Sequence, residues 1–216
     1  VARVVRNRMK KLGIEVLTGT RMEAIKSDGK VVTAVVGDQK LKAGQMLVCI
    51  GRRPYADGLN LAAAGLRLND AGMLPVNAQC RTRVPSIYAI GDLTGPIQYA
   101  HRASAMGIVA ANNATGSDDT HSDDLVPGCI FTAPEIGSVG ITETEAKEQG
   151  LEVKIGKFPF AALGKAQIHG ETDGFCKIIA ATETDQVVGV HIVGPHATDL
   201  IAEAATAMAL EITAEE

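Results

Sequence analysis

The sequence predicts two fold classes in succession. Residues 1–122 read as layered α/β structure, and residues 123–216 as an α+β antiparallel sheet with helices on one face. Three observations carry this. The core alphabet is Ala, Val, Ile and Leu, with no Trp and only four Phe and three Tyr, as layered α/β proteins use. A short, wholly apolar run at 46–50 ends on Gly51, and a second run at 87–90 ends on Gly91-Asp92. Beyond residue 123, consecutive strand patterns are joined by short turns.

Composition narrows the function classes. Hydrophobic residues make up 46% and charged residues 21%, which excludes a disordered or collagen-like chain. The net charge of −4 argues against a nucleic-acid footprint. No apolar run approaches the roughly 18–20 residues of a membrane helix. Cys49, Cys80, Cys129 and Cys176 form neither a C-x-x-C nor a metal-ligand pair, so they read as free thiols of an intracellular, cytoplasmic protein.

The elements follow in order. Val1, Val4, Val5, Met9 and Leu12 repeat at helical spacing, Arg3, Arg6, Arg8, Lys10 and Lys11 form the polar face, and Gly13 stops the helix. Residues 14–25 are strand-like. Ser27-Asp28-Gly29-Lys30 turns into a strand at 31–36, and Gly37-Asp38 turns it back at 39–42. The 46–50 run predicts a strand buried on both faces. A short helix at 59–65, strands at 72–76 and 87–90, and an Ala-rich helix at 101–114 come next. The polar stretch 117–124 is the domain boundary. After it come a strand at 129–132, a helix opened by the capping box Thr142-Glu143-Thr144-Glu145, and a strand at 151–160. A hairpin at 175–181 and 187–193 turns on Thr184-Asp185-Gln186, and a helix runs over 197–210. No N-cap precedes Val1, and Thr213-Ala214-Glu215-Glu216 is a capping box that opens a further helix; together they lead us to expect an internal fragment.

The functional signal is concentrated at Thr82-Arg83-Val84-Pro85-Ser86-Ile87-Tyr88-Ala89-Ile90-Gly91-Asp92. A buried strand delivering Gly-Asp at its C-terminal end, just before a helix, is where open α/β sheets bind ligands. Glycine permits close approach, and Asp92 accepts from polyol hydroxyls. The helix start at Gln98, Tyr99, Ala100 and His101 offers unpaired N–H groups to ligand oxygens. The plain alternative is an Asp92 that only caps the following helix.

These residues resemble the second flavin-binding motif of the FAD-dependent pyridine-nucleotide disulfide oxidoreductase family. Val48-Cys49-Ile50-Gly51-Arg52-Arg53-Pro54 resembles that family's crossing from NAD domain to FAD domain, and Phe131-Thr132-Ala133-Pro134-Glu135 with Val139-Gly140 resembles the start of its dimerisation domain. Lys157-Phe158-Pro159-Phe160 and Gly194-Pro195 continue the match, closest in kind to the dihydrolipoyl dehydrogenase branch. The resemblance implies partial Rossmann-like NAD (1–51) and FAD (52–122) domains and a dimerisation domain (123–216) cut at its C-terminal end. It implies that Asp92 holds the FAD ribityl chain, that Gln98, Tyr99, Ala100 and His101 face the flavin pyrimidine, and that Gly51 approaches NAD. Met22 matches only an apolar position of the nucleotide pocket. Arg52 and Arg53 read as surface arginines at the interdomain turn, with pyrophosphate ligation the alternative.

The resemblance also implies a homodimeric parent that oxidises dihydrolipoamide through a redox disulfide and FAD to NAD, with a lipoyl-bearing acyltransferase of a 2-oxo acid dehydrogenase complex as partner. Mercuric reductase, glutathione reductase and soluble transhydrogenase types are the alternatives. The family's G-x-G-x-x-G, its C-x-x-x-x-C and its His-x-His-Pro are not in this sequence, and Ala133 stands where lipoamide enzymes often have His. No catalytic residue is therefore assigned, and this chain by itself is expected neither to hold FAD tightly nor to catalyse. His191 reads as structural, and His121, His169 and His196 as solvated loop residues.

Overall fold

A computed structural model describes residues 1–216. Helix α1 (Ala2–Lys11) opens the chain, with Val4, Val5 and Met9 half-buried on one face, as the helical spacing predicts. The chain divides into two compact units, Met9–Arg53 and Val1–Arg8 with Pro54–Glu216.

The smaller unit is an antiparallel meander of β1 (Met22–Ser27), β2 (Val32–Val36) and β3 (Gln39–Ala43). Asp28 makes the first turn, its carboxylate accepting from the N–H groups of Lys30 and Val31 at 2.9 and 2.8 Å. Those bonds hold the Asp28 carboxyl below its ordinary pKa. Only Ala34 and Val36 of this unit are buried. Two expectations fail here. Strand pairing starts at Met22, not at residue 14. The 46–50 run forms no strand, and Leu47 and Ile50 are 86% and 95% exposed. An apolar strand of that kind needs a paired neighbour and cover on both faces; the β1-β2-β3 sheet of this chain supplies neither.

In the larger unit, residues 54–122 form few regular elements. A 3₁₀ turn spans Leu61–Ala64 in place of the expected helix. The strands expected at 72–76 and 87–90 reduce to one antiparallel bridge, Arg81 with Tyr88, and single bonds such as Leu74 N–H to the Leu93 carbonyl at 2.8 Å. Their apolar alternation is present, but a ladder needs a second strand in register. Helix α2 (Ala100–Ala114) buries Arg102, Met106, Ala110 and Asn113, one helical stripe, with Met106 and Ala110 packed on Cys80, Tyr88 and Val76.

The remainder builds a five-stranded antiparallel sheet from β4 (Gly128–Ile130), β5 (Glu135–Gly140), β6 (Val153–Pro159), β7 (Phe175–Ala181) and β8 (Val187–Gly194), in the order β4-β5-β8-β7-β6. Helices α3 (Glu143–Glu148), α4 (Gly164–His169) and α5 (Ala197–Ala209) accompany it. The main core lies here: Val139, Phe160, Val190 and Ile192 meet Ala197, Ile201 and Met208 of α5. The hairpin, the α5 helix and the α3 start agree with the sequence reading; β5 and α4 are additions to it. Thr142 and Glu145 form the reciprocal capping box, with Glu145 N–H on Thr142 Oγ1 at 3.2 Å and Thr142 N–H on Glu145 Oε2 at 2.7 Å. Thr142→Ala is expected to cost about 1 kcal/mol of stability, measured by denaturant unfolding. Thr213 and Glu216 make the same reciprocal bonds at 2.9 and 3.4 Å.

Candidate functional site at the Gly91 turn and the start of helix α2

The Gly91-Asp92 motif is built from local backbone bonds. Thr82 folds the preceding loop, its hydroxyl donating to the Ile87 carbonyl at 2.9 Å and accepting from Val84 N–H at 3.2 Å. Ala89 N–H then bonds the Cys80 carbonyl at 3.1 Å, which sets the direction of 87–90. The chain turns through a short 3₁₀ segment, Gly91–Leu93. Gly91 is buried with φ +69°, and a Cβ there would stand 3.0 Å from the Cβ of Ala103 in α2. The turn thus rests directly on the helix because residue 91 carries no side chain. Asp92 is exposed beside it.

Helix α2 begins at Ala100 with Tyr99 as N-cap, and Tyr99 supplies no side-chain oxygen to the first-turn N–H groups. Helix first-turn N–H groups and the positive end of the helix dipole favour an oxygen acceptor at such a start. The Tyr99 and His101 rings stack, with centroids 5.3 Å apart and planes at 15°. His101 Nε2 lies 2.9 Å from the Pro127 carbonyl, an atom that only accepts, so Nε2 carries the hydrogen. Gln98 is half-buried; Tyr99, Ala100 and His101 are exposed. One turn-and-helix start therefore brings Asp92, Gln98, Tyr99, Ala100 and His101 together in sequence order.

Met22 and Gly51 belong to the smaller unit. Met22 opens β1 opposite Val36 and is exposed. Gly51 has φ +130° with open space around its Cβ position.

The sequence reading missed what lies beneath the site. Arg102, 4% exposed, forks onto Asp123 through Nε–Oδ1 at 2.5 Å and Nη2–Oδ2 at 3.0 Å. Its Nη1 reaches the Gly91 carbonyl and Thr94 Oγ1, both at 3.3 Å. His121, read from the sequence as solvated, is in fact 12% exposed and shares Asp123 Oδ1 at 2.9 Å. The Arg102 guanidinium holds the Asp123 carboxyl below the usual carboxylate range, with His121 adding to the effect. The available signal was an arginine on the apolar stripe 102, 106, 110 of an Ala-rich helix, four residues from Met106. At the start of α5, Glu135 Oε2 accepts from Thr198 N–H at 3.0 Å and from its hydroxyl at 2.6 Å, which lowers the Glu135 carboxyl pKa.

The residues present suit half of a dinucleotide site: a glycine turn in close contact with a helix, an exposed acid beside it, and an uncapped helix start. No group of three or more His, Cys, Asp or Glu is placed to hold a metal ion, and no helix is long and apolar enough to cross a membrane.

Comparison with known proteins defines the family. The pyridine nucleotide-disulphide oxidoreductase model matches residues 1–107, and the model of the dimerisation domain of pyridine nucleotide-disulphide oxidoreductases matches residues 126–216. The chain belongs to the pyridine nucleotide-disulphide oxidoreductase family. Its relatives include a dihydrolipoyl dehydrogenase of Bacillus subtilis, 41% identical over 99% of this chain and 46% of that protein. A mitochondrial dihydrolipoyl dehydrogenase of Canis lupus familiaris is 40% identical over 88% of this chain and 38% of its own length. Among solved structures, LpdA from Mycobacterium tuberculosis superposes with a TM-score of 0.92 at 28% identity, covering all of this chain and 47% of that one. The chain spans about half the length of the curated relatives it matches.

Proposed function

We propose that this chain forms part of a flavoprotein disulfide oxidoreductase of the dihydrolipoyl dehydrogenase type, a cytoplasmic homodimer that oxidises dihydrolipoamide to lipoamide. In this reading residues 1–51 are the C-terminal part of an NAD-binding domain, residues 52–122 the central part of an FAD-binding domain, and residues 123–216 the dimerisation domain. The observation that carries it is the Gly91-Asp92 turn packed on an uncapped helix start, within a chain about 40% identical to named dihydrolipoyl dehydrogenases.

Bound FAD supplies the electron transfer between a dithiol and NAD. The residues here bind and orient. Asp92 accepts hydroxyl hydrogen bonds of the ribityl chain. The first-turn N–H groups at Ala100 and His101 meet an electron-rich ring edge, and Gln98 and Tyr99 line the same edge. Gly51 leaves room beside NAD, and Met22 offers it apolar contact. A lipoyl-bearing acyltransferase of a 2-oxo acid dehydrogenase complex is the partner that fits this substrate.

The test is NADH formation from dihydrolipoamide by the full-length protein, which we expect to proceed. Turnover with glutathione disulfide or Hg(II), and none with lipoamide, would move the chain to a sibling branch. The 216-residue chain alone lacks a C-x-x-x-x-C. It is expected to show no turnover and no retained flavin colour after purification.

A further inference from the structure

We infer that Arg102 is a positioning residue: it ties the Gly91–Thr94 turn to Asp123 and thereby fixes the flavin-facing edge of the site. This rests on the flavin reading above and goes beyond it, because Arg102 is buried and belongs to none of the residues expected to face the flavin.

All three guanidinium nitrogens are engaged. Nε and Nη2 meet the two oxygens of Asp123, and Nη1 meets the Gly91 carbonyl and Thr94 Oγ1. Thr94 closes the loop, its hydroxyl donating to the Gly91 carbonyl at 2.8 Å while its N–H bonds the same oxygen at 2.9 Å. The Gly91 carbonyl therefore receives two donors from Thr94, at the far end of the turn, and one from Arg102 in the helix behind it. The planar fork leaves the guanidinium no alternative orientation that keeps both pairs. A side chain at Gly95 would stand 2.9 Å from Nη2, so the backbone also closes over the cation.

The consequence is directional. Asp92 follows Gly91, and the α2 start lies within three residues of Arg102. Asp123 stands 21 residues along the chain, at the entry to the antiparallel sheet. The ion pair thus carries the placement of the sheet-bearing segment to the backbone that presents Asp92. Loss of Arg102 leaves Asp123 with His121 and partial exposure to water, so the fold survives better than the alignment of the turn does.

The experiment uses the full-length protein, stripped of flavin and titrated with FAD. We expect Arg102→Met to weaken FAD binding by about tenfold or more and to change the fluorescence yield of bound flavin. Arg102→Lys, which keeps the charge but not the fork, is expected to fall between. Thr94→Val leaves the Asp123 pair intact and is expected to shift the flavin signal in the same direction. It keeps the inference testable if Arg102→Met does not fold. Unchanged FAD affinity and fluorescence in folded Arg102→Met, or in Thr94→Val and Arg102→Lys together, would overturn the inference. A wild-type protein that binds no FAD would overturn the flavin reading itself.

Discussion

Gly137→Ala is expected to destabilise the sheet-bearing part of the molecule by about 3 kcal/mol, at the upper end for overpacking. Gly137 lies in β5 between Cys129 of β4 and Ile192 of β8, beneath helix α5. A Cβ at this position would sit 2.3 Å from the Ala197 carbonyl oxygen and 2.8 Å from the Ile201 Cβ. The first of those is backbone in the opening turn of α5, so no rotamer change relieves it. The helix has to lift from the sheet, and its lifting opens contacts of Ile201 and Ala197, residues that are 1% and 0% exposed. The check is urea unfolding of the variant beside the parent sequence, where a fall in midpoint with the slope unchanged reports stability alone. A variant as stable as the parent would show that the close approach of α5 to β5 is not needed.

Asp123→Ala is expected to cost about 3 kcal/mol, the low end for breaking a buried ion pair. The low end applies because Asp123 is 37% exposed at its side chain while Arg102 is 4% exposed. The loss comes less from the missing attraction than from a guanidinium left buried with only the Gly91 carbonyl and Thr94 hydroxyl as acceptors. Asp123→Leu combined with Arg102→Met should therefore lose less than the two single changes summed, a coupling that a double-mutant cycle measures. The same pair predicts acid sensitivity. The Asp123 carboxyl is held below its unfolded value of about 3.9. Its contribution is fully present above that pH and is lost as pH falls through the lower folded value. Unfolding midpoints followed toward acid should drop more for the parent than for Asp123→Asn. Parallel curves would contradict the role assigned to the pair.

The parts of the fold legible in the sequence share one property: their signals are local. The Thr142 to Glu145 box, the Thr184-Asp185-Gln186 turn of the hairpin and the helical stripe of α2 all report on residues within a few positions of one another. Strand signals failed where pairing was not available. Residues 46–50 carry a strand's apolarity, yet Leu47 and Ile50 are exposed, because apolarity states a preference for burial and a ladder requires a partner in register. The helix start at residues 98–101 was legible from Gly95-Pro96 and the Ala-rich run that follows. The Arg102, His121 and Asp123 cluster was legible only in part: the stripe 102, 106, 110 places Arg102 on the buried face of α2, but its partners His121 and Asp123 lie about twenty residues away, beyond any local signal.

The sequence by itself carried the family resemblance, the antiparallel character of the last ninety or so residues, the start of α3 and the extents of α2 and α5. The resemblance rests on its quoted motifs; the antiparallel pattern and the helix limits follow from spacing, capping and turn chemistry, which short stretches of chain specify alone. The tertiary structure decided the strand order β4-β5-β8-β7-β6, the seating of Gly91 against Ala103 and of Gly137 beneath α5, and the burial of Arg102 on Asp123. Each depends on which distant segments meet, and a charge or a glycine acquires its role only from the atoms packed against it.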